Sequence, residues 1–182
     1  MNGRTLDVII AGAGRVGART AKILDDHGHS VTVIEPDSSA CASLSQAYVA
    51  TVIEGDATRP SVFRQADPQS ADVIAALTGH TGVNLGILRV AEEMVDGTEI
   101  RTVMRVDRAN GEEYEHMVDA LVYPEGLGGL ATVNAIEGAD VRALEDVTGD
   151  LEILEIRVAE NAPVAGHTLQ EVSLPRGSLV VS

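Results

Sequence analysis

Three glycines and one acid carry the clearest chemistry in the chain. In Gly12-Ala13-Gly14-Arg15-Val16-Gly17 the glycines fall at the first, third and sixth places of a six-residue loop, and Glu35 follows about 20 residues later. Gly12 gives the backbone freedom for a sharp turn. Gly14 lets the main chain approach a pyrophosphate, because a Cβ there would occupy the ligand's space. Gly17 lets the following helix lie tight on the preceding strand. A carboxylate at Glu35 can accept hydrogen bonds from both hydroxyls of a ribose and would repel a 2′-phosphate, which favours NAD or an adenosine nucleotide over NADP. The competing reading is a bare tight turn, and the flanking elements decide between the two.

Those elements match a nucleotide-binding βαβ unit. Val8-Ile9-Ile10-Ala11 is a short apolar run without alternation, as expected of a parallel strand covered on both faces. The spacing predicts a helix over residues 15–27, with Val16, Thr20, Ile23 and Leu24 on its buried stripe and its free N–H groups toward phosphate. Gly28 stops it, and 30–34 is a second strand with Glu35 at its carboxyl end.

Farther on, Pro36-Asp37-Ser38 opens a short helix running through Leu44, with Asp37 or Ser38 as its cap. Residues 48–53 read as a third strand ending at Glu54-Gly55-Asp56-Ala57-Thr58. Asp56 makes a turn there, or sets this backbone against an adenine. Thr58 or Ser61 is the expected cap of a helix through Phe63. Residues 72–78 form a fourth strand on the other side of the first, so Leu77, Thr78 and Gly79 border the crevice where the sheet order reverses. A helix striped by Leu88, Ala91, Met94 and Val95 ends at Asp96-Gly97, and 100–106 is a fifth strand with Met104 as core. Arg105, near the strand's carboxyl end, is either a surface charge or a phosphate partner. A short helix at 112–118 precedes a sixth strand at 120–123, closed by Pro124-Glu125. The fold class is therefore α/β, a Rossmann-like doubly wound parallel sheet of order 3-2-1-4-5-6.

From Gly126 to about Leu144 the pattern is helical and rich in Gly and Ala, as a crossover helix covering the sheet or facing a partner subunit would be. Thr148-Gly149-Asp150 reads as a boundary. Beyond it 151–158 alternates strictly, like a strand with one wet face, 166–172 resembles a short helix and 177–181 another strand. Such a unit cannot enclose a core alone, so the start of a small, truncated α+β domain is expected over 149–182 after a main domain at 5–146.

Composition narrows the function further. The net charge of −15, with Lys22 the single lysine, opposes binding to nucleic acid or anionic membrane. The acids are spread along the chain rather than blocked, as in a solvated acidic skin suited to the high salt of a halophile. No apolar stretch approaches the roughly 18 residues that span a bilayer, and Met1 to Thr5 has no signal-peptide pattern, so a soluble, cytoplasmic protein is expected. Cys41 is the only cysteine, best read as a small buried helix residue. His27, His29, His80, His116 and His167 are scattered, each suited to a surface or cap.

The ordered set Gly12-Ala13-Gly14-Arg15-Val16-Gly17, Val33-Ile34-Glu35, Gly55-Asp56-Ala57-Thr58, Asp72-Val73-Ile74-Ala75 with Thr78 and Asn84, and Pro124-Glu125 resembles the RCK or KTN (TrkA-N) domain family, in particular the regulatory subunits of Trk-type potassium uptake. The likeness covers residues 6–146. It implies a non-catalytic cytoplasmic sensor, peripheral at the inner face of the membrane, that binds NAD(H) or ATP/ADP. It further implies a homodimer, tetramer or octameric ring gating an integral-membrane potassium transporter (TrkH-like) or channel. Carried over, the site comprises Gly12, Ala13, Gly14, Arg15, Val16, Gly17, Glu35, Pro36, Asp37, Gly55, Asp56, Ala57, Thr58, Leu77, Thr78, Gly79, Asn84 and Arg105, with no catalytic residue and no metal. Arg15 is placed to reach a terminal phosphate. One departure is His80-Thr81-Gly82, where the family often carries an acid. The alternatives are a small NAD-dependent oxidoreductase and a nucleotide-binding scaffold of an unrelated complex.

Overall fold

The computed structural model describes residues 4–47, 49–95, 100–107, 111–137, 141–148, 151–156, 162, 164–168 and 171–172. Contacts divide the chain into two units, Met1–Gly126 and Leu127–Ser182.

In the first unit, β1 (Asp7–Ala11), β2 (Ser30–Glu35), β3 (Thr51–Glu54), β4 (Val73–Ala76), β5 (Arg101–Arg105) and β6 (Ala120–Val122) form one sheet in the order β3-β2-β1-β4-β5-β6. Every pair is parallel. Successive side chains on a strand point to opposite faces, and each face here has its own core. On one, Ile9, Ala11, Ile34, Ile74, Ala76 and Met104 pack with Phe63 of α3 (Pro60–Phe63) and with Ile87, Leu88 and Ala91 of α4 (Thr81–Glu92). On the other, Val8, Ile10, Val31, Val33 and Ala75 pack with Ala21 of α1 (Arg15–Asp26) and Leu44 of α2 (Ser38–Ala47). Both faces of β1 and β4, at the centre of the sheet, are buried, which is why residues 8–11 and 73–76 read as unbroken apolar runs. Cys41 is buried on α2, and Met104 is fully buried.

Three details depart from the sequence reading. The buried face of α1 is Gly17 and Ala21, while Ile23 is 38% exposed. The helix lies so close to β1 that only the smallest side chains fit beneath it, and larger ones flank the contact. β3 begins at Thr51, because the chain bends at 49–50 and Val49 turns into the core; Tyr48 lies outside the described residues. α3 has no side-chain cap: its N-cap is Arg59, and Thr58 donates instead to Asp56.

Helix α5 (Pro124–Glu137) starts in the first unit, and the division falls within it. Residues 141–144, expected to continue that helix, belong to strand β7 (Val141–Thr148), which pairs antiparallel with β8 (Leu151–Ile156) from Val141↔Ile156 to Thr148↔Leu151. A helical period read through Gly- and Ala-rich sequence has few large apolar residues to mark where it stops, and the partner strand, not local propensity, decides the conformation of 141–148. Gly149-Asp150, Asp96-Gly97 and the expected strand at 177–181 lie outside the described residues.

Candidate nucleotide site

The glycine loop leaves β1 at the centre of the sheet. Gly12 has φ +102°, a left-handed value that side-chain-bearing residues rarely adopt, and its N–H donates to the Ile34 carbonyl at 2.9 Å. A Cβ on Gly17 would stand 1.9 Å from the Gly12 carbonyl oxygen, so only glycine allows α1 to start this close to the turn. Gly14 differs. It is the exposed N-cap of α1, without a side-chain cap, and a Cβ there would meet no protein atom within 4 Å. The space above it is open, as a phosphate held by the helix N-terminus requires.

Glu35, at the carboxyl end of β2, ties this loop to the neighbouring wall. One carboxylate oxygen accepts the Ala13 N–H at 2.6 Å and the other the Asp37 N–H at 2.9 Å, while the Glu35 carbonyl accepts the Gly55 N–H at 2.9 Å. A carboxylate offers about four acceptor sites, so two remain for a ribose. Asp37 caps α2 by accepting the Ala40 N–H at 2.8 Å, and its bond from the Ser39 hydroxyl, with that N–H second, holds its carboxyl below the usual range. Asp56 accepts from the Thr58 hydroxyl at 2.7 Å and the Thr58 N–H at 2.9 Å, which likewise lower its pKa.

The opposite wall is built on β4 and β5. Asn84 of α4 is fully buried: its Oδ1 accepts the Thr78 hydroxyl at 2.6 Å and the Thr78 N–H at 3.0 Å, and its Nδ2 donates to the carbonyls of Arg105 at 2.8 Å and Thr78 at 3.2 Å. This single amide therefore clamps the two strand ends that edge the crevice. The Arg105 side chain is 16% exposed and its Nη2 donates to Glu125 in the first turn of α5, while its Nε is buried with no partner.

Between these walls lies a cleft of about 290 Å³. Of the expected residues it gathers Gly12, Gly14, Glu35, Pro36, Asp56, Ala57, Leu77, Thr78, Gly79 and Arg105. Ala13, Val16, Gly17, Asp37, Gly55, Thr58 and Asn84 do not line it, although Ala13, Asp37, Gly55, Thr58 and Asn84 are hydrogen-bonded to residues that do. Gly55 also leaves room for Val62, whose Cγ1 would lie 2.7 Å from a Cβ. Arg15 is exposed at the start of α1 and does not line the cleft, although its charge acts on Glu125. Ile34, Val83 and Ile87 also line it, beyond the residues expected there. Val83 and Ile87 lie four apart on α4, Val83 40% exposed at the cleft and Ile87 buried beneath it.

The TrkA-N domain model matches residues 8–124, which contain every residue that lines the cleft. The chain belongs to the TrkA-N domain family. Over 96% of its length it is 32% identical to a Trk system potassium uptake protein TrkA homolog from Pyrococcus abyssi, of which it covers 79%. Two solved structures share the TrkA-N fold: the RCK domain of GsuK (TM-score 0.65, 16% identity, 94% of this chain and 37% of that one) and the GsuK channel bound to NAD (TM-score 0.60, 13% identity, 85% and 28%).

Proposed function

We propose that the chain is a non-catalytic, nucleotide-sensing regulatory subunit of a potassium uptake system, with NAD(H) the leading ligand and ATP or ADP the alternatives. The observation that carries this is the open space above Gly14, set between the Glu35 carboxylate and the Arg105 guanidinium. The unpartnered Arg105 Nε is a donor awaiting an anion, and Glu35 keeps acceptor capacity for sugar hydroxyls. Gly12, Gly14 and the first turn of α1 would take the phosphates, Glu35 the ribose, and Pro36, Asp56 and Ala57 the base. The name of the Pyrococcus abyssi relative and the NAD-bound channel of similar fold support this assignment.

Regulation follows if the nucleotide binds two subunit arrangements unequally. The chain then works as a homodimer or larger ring at the inner face of the membrane, biasing an integral potassium transporter or channel. Residues 5–146 would bind the nucleotide and 149–182 begin a second ligand-binding domain. Against a dehydrogenase, the described lining of the cleft offers no histidine, lysine or tyrosine to exchange a proton beside a nicotinamide. Sedimentation of the purified chain with and without NAD, NADH, ATP and ADP tests the proposal. A nucleotide-dependent change of oligomer size is expected, and turnover of a small alcohol or acid without such a change would overturn it.

A further inference from the structure

At the amino edge of the sheet, far along β1 from the glycine loop, a histidine takes the place of a ladder carbonyl. The strands β1 and β2 pair Asp7 with Ser30, and the Ser30 N–H donates to the Leu6 carbonyl at 2.9 Å. Continued one step, the parallel ladder would give the Leu6 N–H to the Gly28 carbonyl. Gly28 instead turns at φ +83° where the chain leaves α1, and the Leu6 N–H donates to Nδ1 of half-buried His29 at 3.2 Å. An imidazole nitrogen that accepts a hydrogen bond carries no proton, so the ring is neutral with its proton on Nε2. Protonation of Nδ1 would set one N–H against another. The bond is one link in a row along this edge. Arg4 donates to one oxygen of Asp72 at 2.7 Å, the Asp7 N–H to the other at 2.9 Å, and the Arg101 N–H to the Asp72 carbonyl at 3.0 Å. The row thus runs from β2 through β1 and β4 to β5, and of its side chains only the imidazole is of a type that changes charge between about pH 5 and 8.

We infer that His29 is a pH-operated latch on the entry to β1: neutral, it holds the Leu6 N–H against β2; protonated, it lets go and the strand start loosens. The groups around the ring do not replace the lost bond. His27, the C-cap of α1, meets His29 edge-on with ring centroids 6.5 Å apart, and two imidazolium rings there would repel each other. Asp25 and Asp26 close α1, and Arg4 and Asp7 flank Leu6, with Asp72 joined to both. Among the described residues none of these charges is bonded to the His29 ring. The sign follows from the geometry. The latch is closed where an imidazole is neutral, and opens as pH falls through the region near about 6.5 in which imidazoles gain a proton. Because β1 leads directly into Gly12, the entry that loosens belongs to the strand that carries the glycine loop. The inference does not depend on what the cleft binds.

Nitrogen-15 spectra of the whole chain, combined with hydrogen exchange of the Leu6 amide, test this. At about pH 8 His29 Nδ1 should show the shift of an unprotonated nitrogen and Nε2 that of a protonated one. Between about pH 8 and about pH 5.5 the protection of the Leu6 amide, corrected for the pH dependence of exchange in an unstructured peptide, should fall about fivefold, the worth of one hydrogen bond. The Ile10 amide, in the middle of the same strand, should keep its protection. In His29→Asn, whose side-chain oxygen can take the same N–H without titrating, Leu6 should stay protected at both values, whereas in His27→Asn the fall should remain. The wild-type spectra decide alone if the asparagine variant does not fold, because the Leu6 amide shift should then follow the His29 ring through its titration. A protonated Nδ1 at the higher pH, Leu6 protection that does not change, a fall shared equally by Ile10, or a fall that persists in His29→Asn overturns the inference.

Discussion

The Glu35 carboxylate accepts the backbone N–H of Ala13 at 2.6 Å, across 22 residues of sequence. The acid thus has a task before any ligand arrives: it holds the glycine loop in shape from the neighbouring strand. Its removal should therefore weaken binding even of a nucleotide without ribose hydroxyls. For Glu35→Ala we expect a loss of about tenfold or more with ADP, the scale of one charge-assisted hydrogen bond. With 2′,3′-dideoxy-ADP part of that loss should remain. Fluorescence competition with both ligands separates the two roles, and full affinity for the dideoxy compound would confine Glu35 to the sugar.

Asn84 should prove a structural residue. Asn84→Leu removes four hydrogen bonds and takes from the part-buried Thr78 N–H and the carbonyl of Arg105 their amide partner. An expected cost of about 2 to 4 kcal/mol follows from leaving buried polar groups unpaired. Urea denaturation measures it, and an unchanged midpoint would mean that water replaces the amide.

The acid side of the stability profile should depend on Asp119 and Thr102. Asp119 accepts the Thr102 N–H at 2.7 Å and its hydroxyl at 2.8 Å, and donates its own N–H to that hydroxyl at 3.0 Å, fixing β6 against β5. The Thr102 N–H first, and its hydroxyl second, hold the Asp119 carboxyl below the ordinary value. A depressed folded pKa stabilises fully above the unfolded pKa of about 3.9 and is lost as pH falls through the lower folded value. Thr102→Val should cost about 1 to 2 kcal/mol at pH 7, with the gap to wild type narrowing below about pH 4. Denaturation midpoints at pH 7, 4 and 3 follow this directly.

Two glycines of the loop should respond in opposite ways. Gly17→Ala drives a Cβ into the Gly12 carbonyl and should destabilise by about 3 kcal/mol or more, or prevent folding. Gly14→Asp places a favoured N-cap residue in open space, where α1 lacks a side-chain cap, so the melting temperature should hold or rise. Thermal melts of the pair distinguish a packing glycine from one kept free for a ligand.

What could be read from the amino acids follows from how many constraints acted on each residue. Val8 to Glu35 was legible because strand, turn, helix cap and acid all point to one unit, and Met104 and Cys41 because small or apolar residues within central elements have few other places to go. Ile23 was misplaced because a helix resting on Gly17 and Ala21 buries its small face, against the usual rule that large apolar side chains go inside. Asn84 and Asp37 bond to neighbouring hydroxyls and backbone groups of their own chain, beside the cleft rather than in its lining: a side-chain type tells what bonds a residue makes, not with whom. Residues 141–143 depended on pairing with 154–156, which no local pattern encodes.

The central claim is that phosphate sits on the glycine bend, and calorimetry of NADH and ADP against wild type and Gly14→Asp tests it most directly. The account predicts saturable binding at one site per chain in the wild type and a loss of at least about a hundredfold in the variant, because a carboxylate would face the phosphates where the helix N-terminus now attracts them. Equal affinities in the two proteins, with both folded, would contradict it.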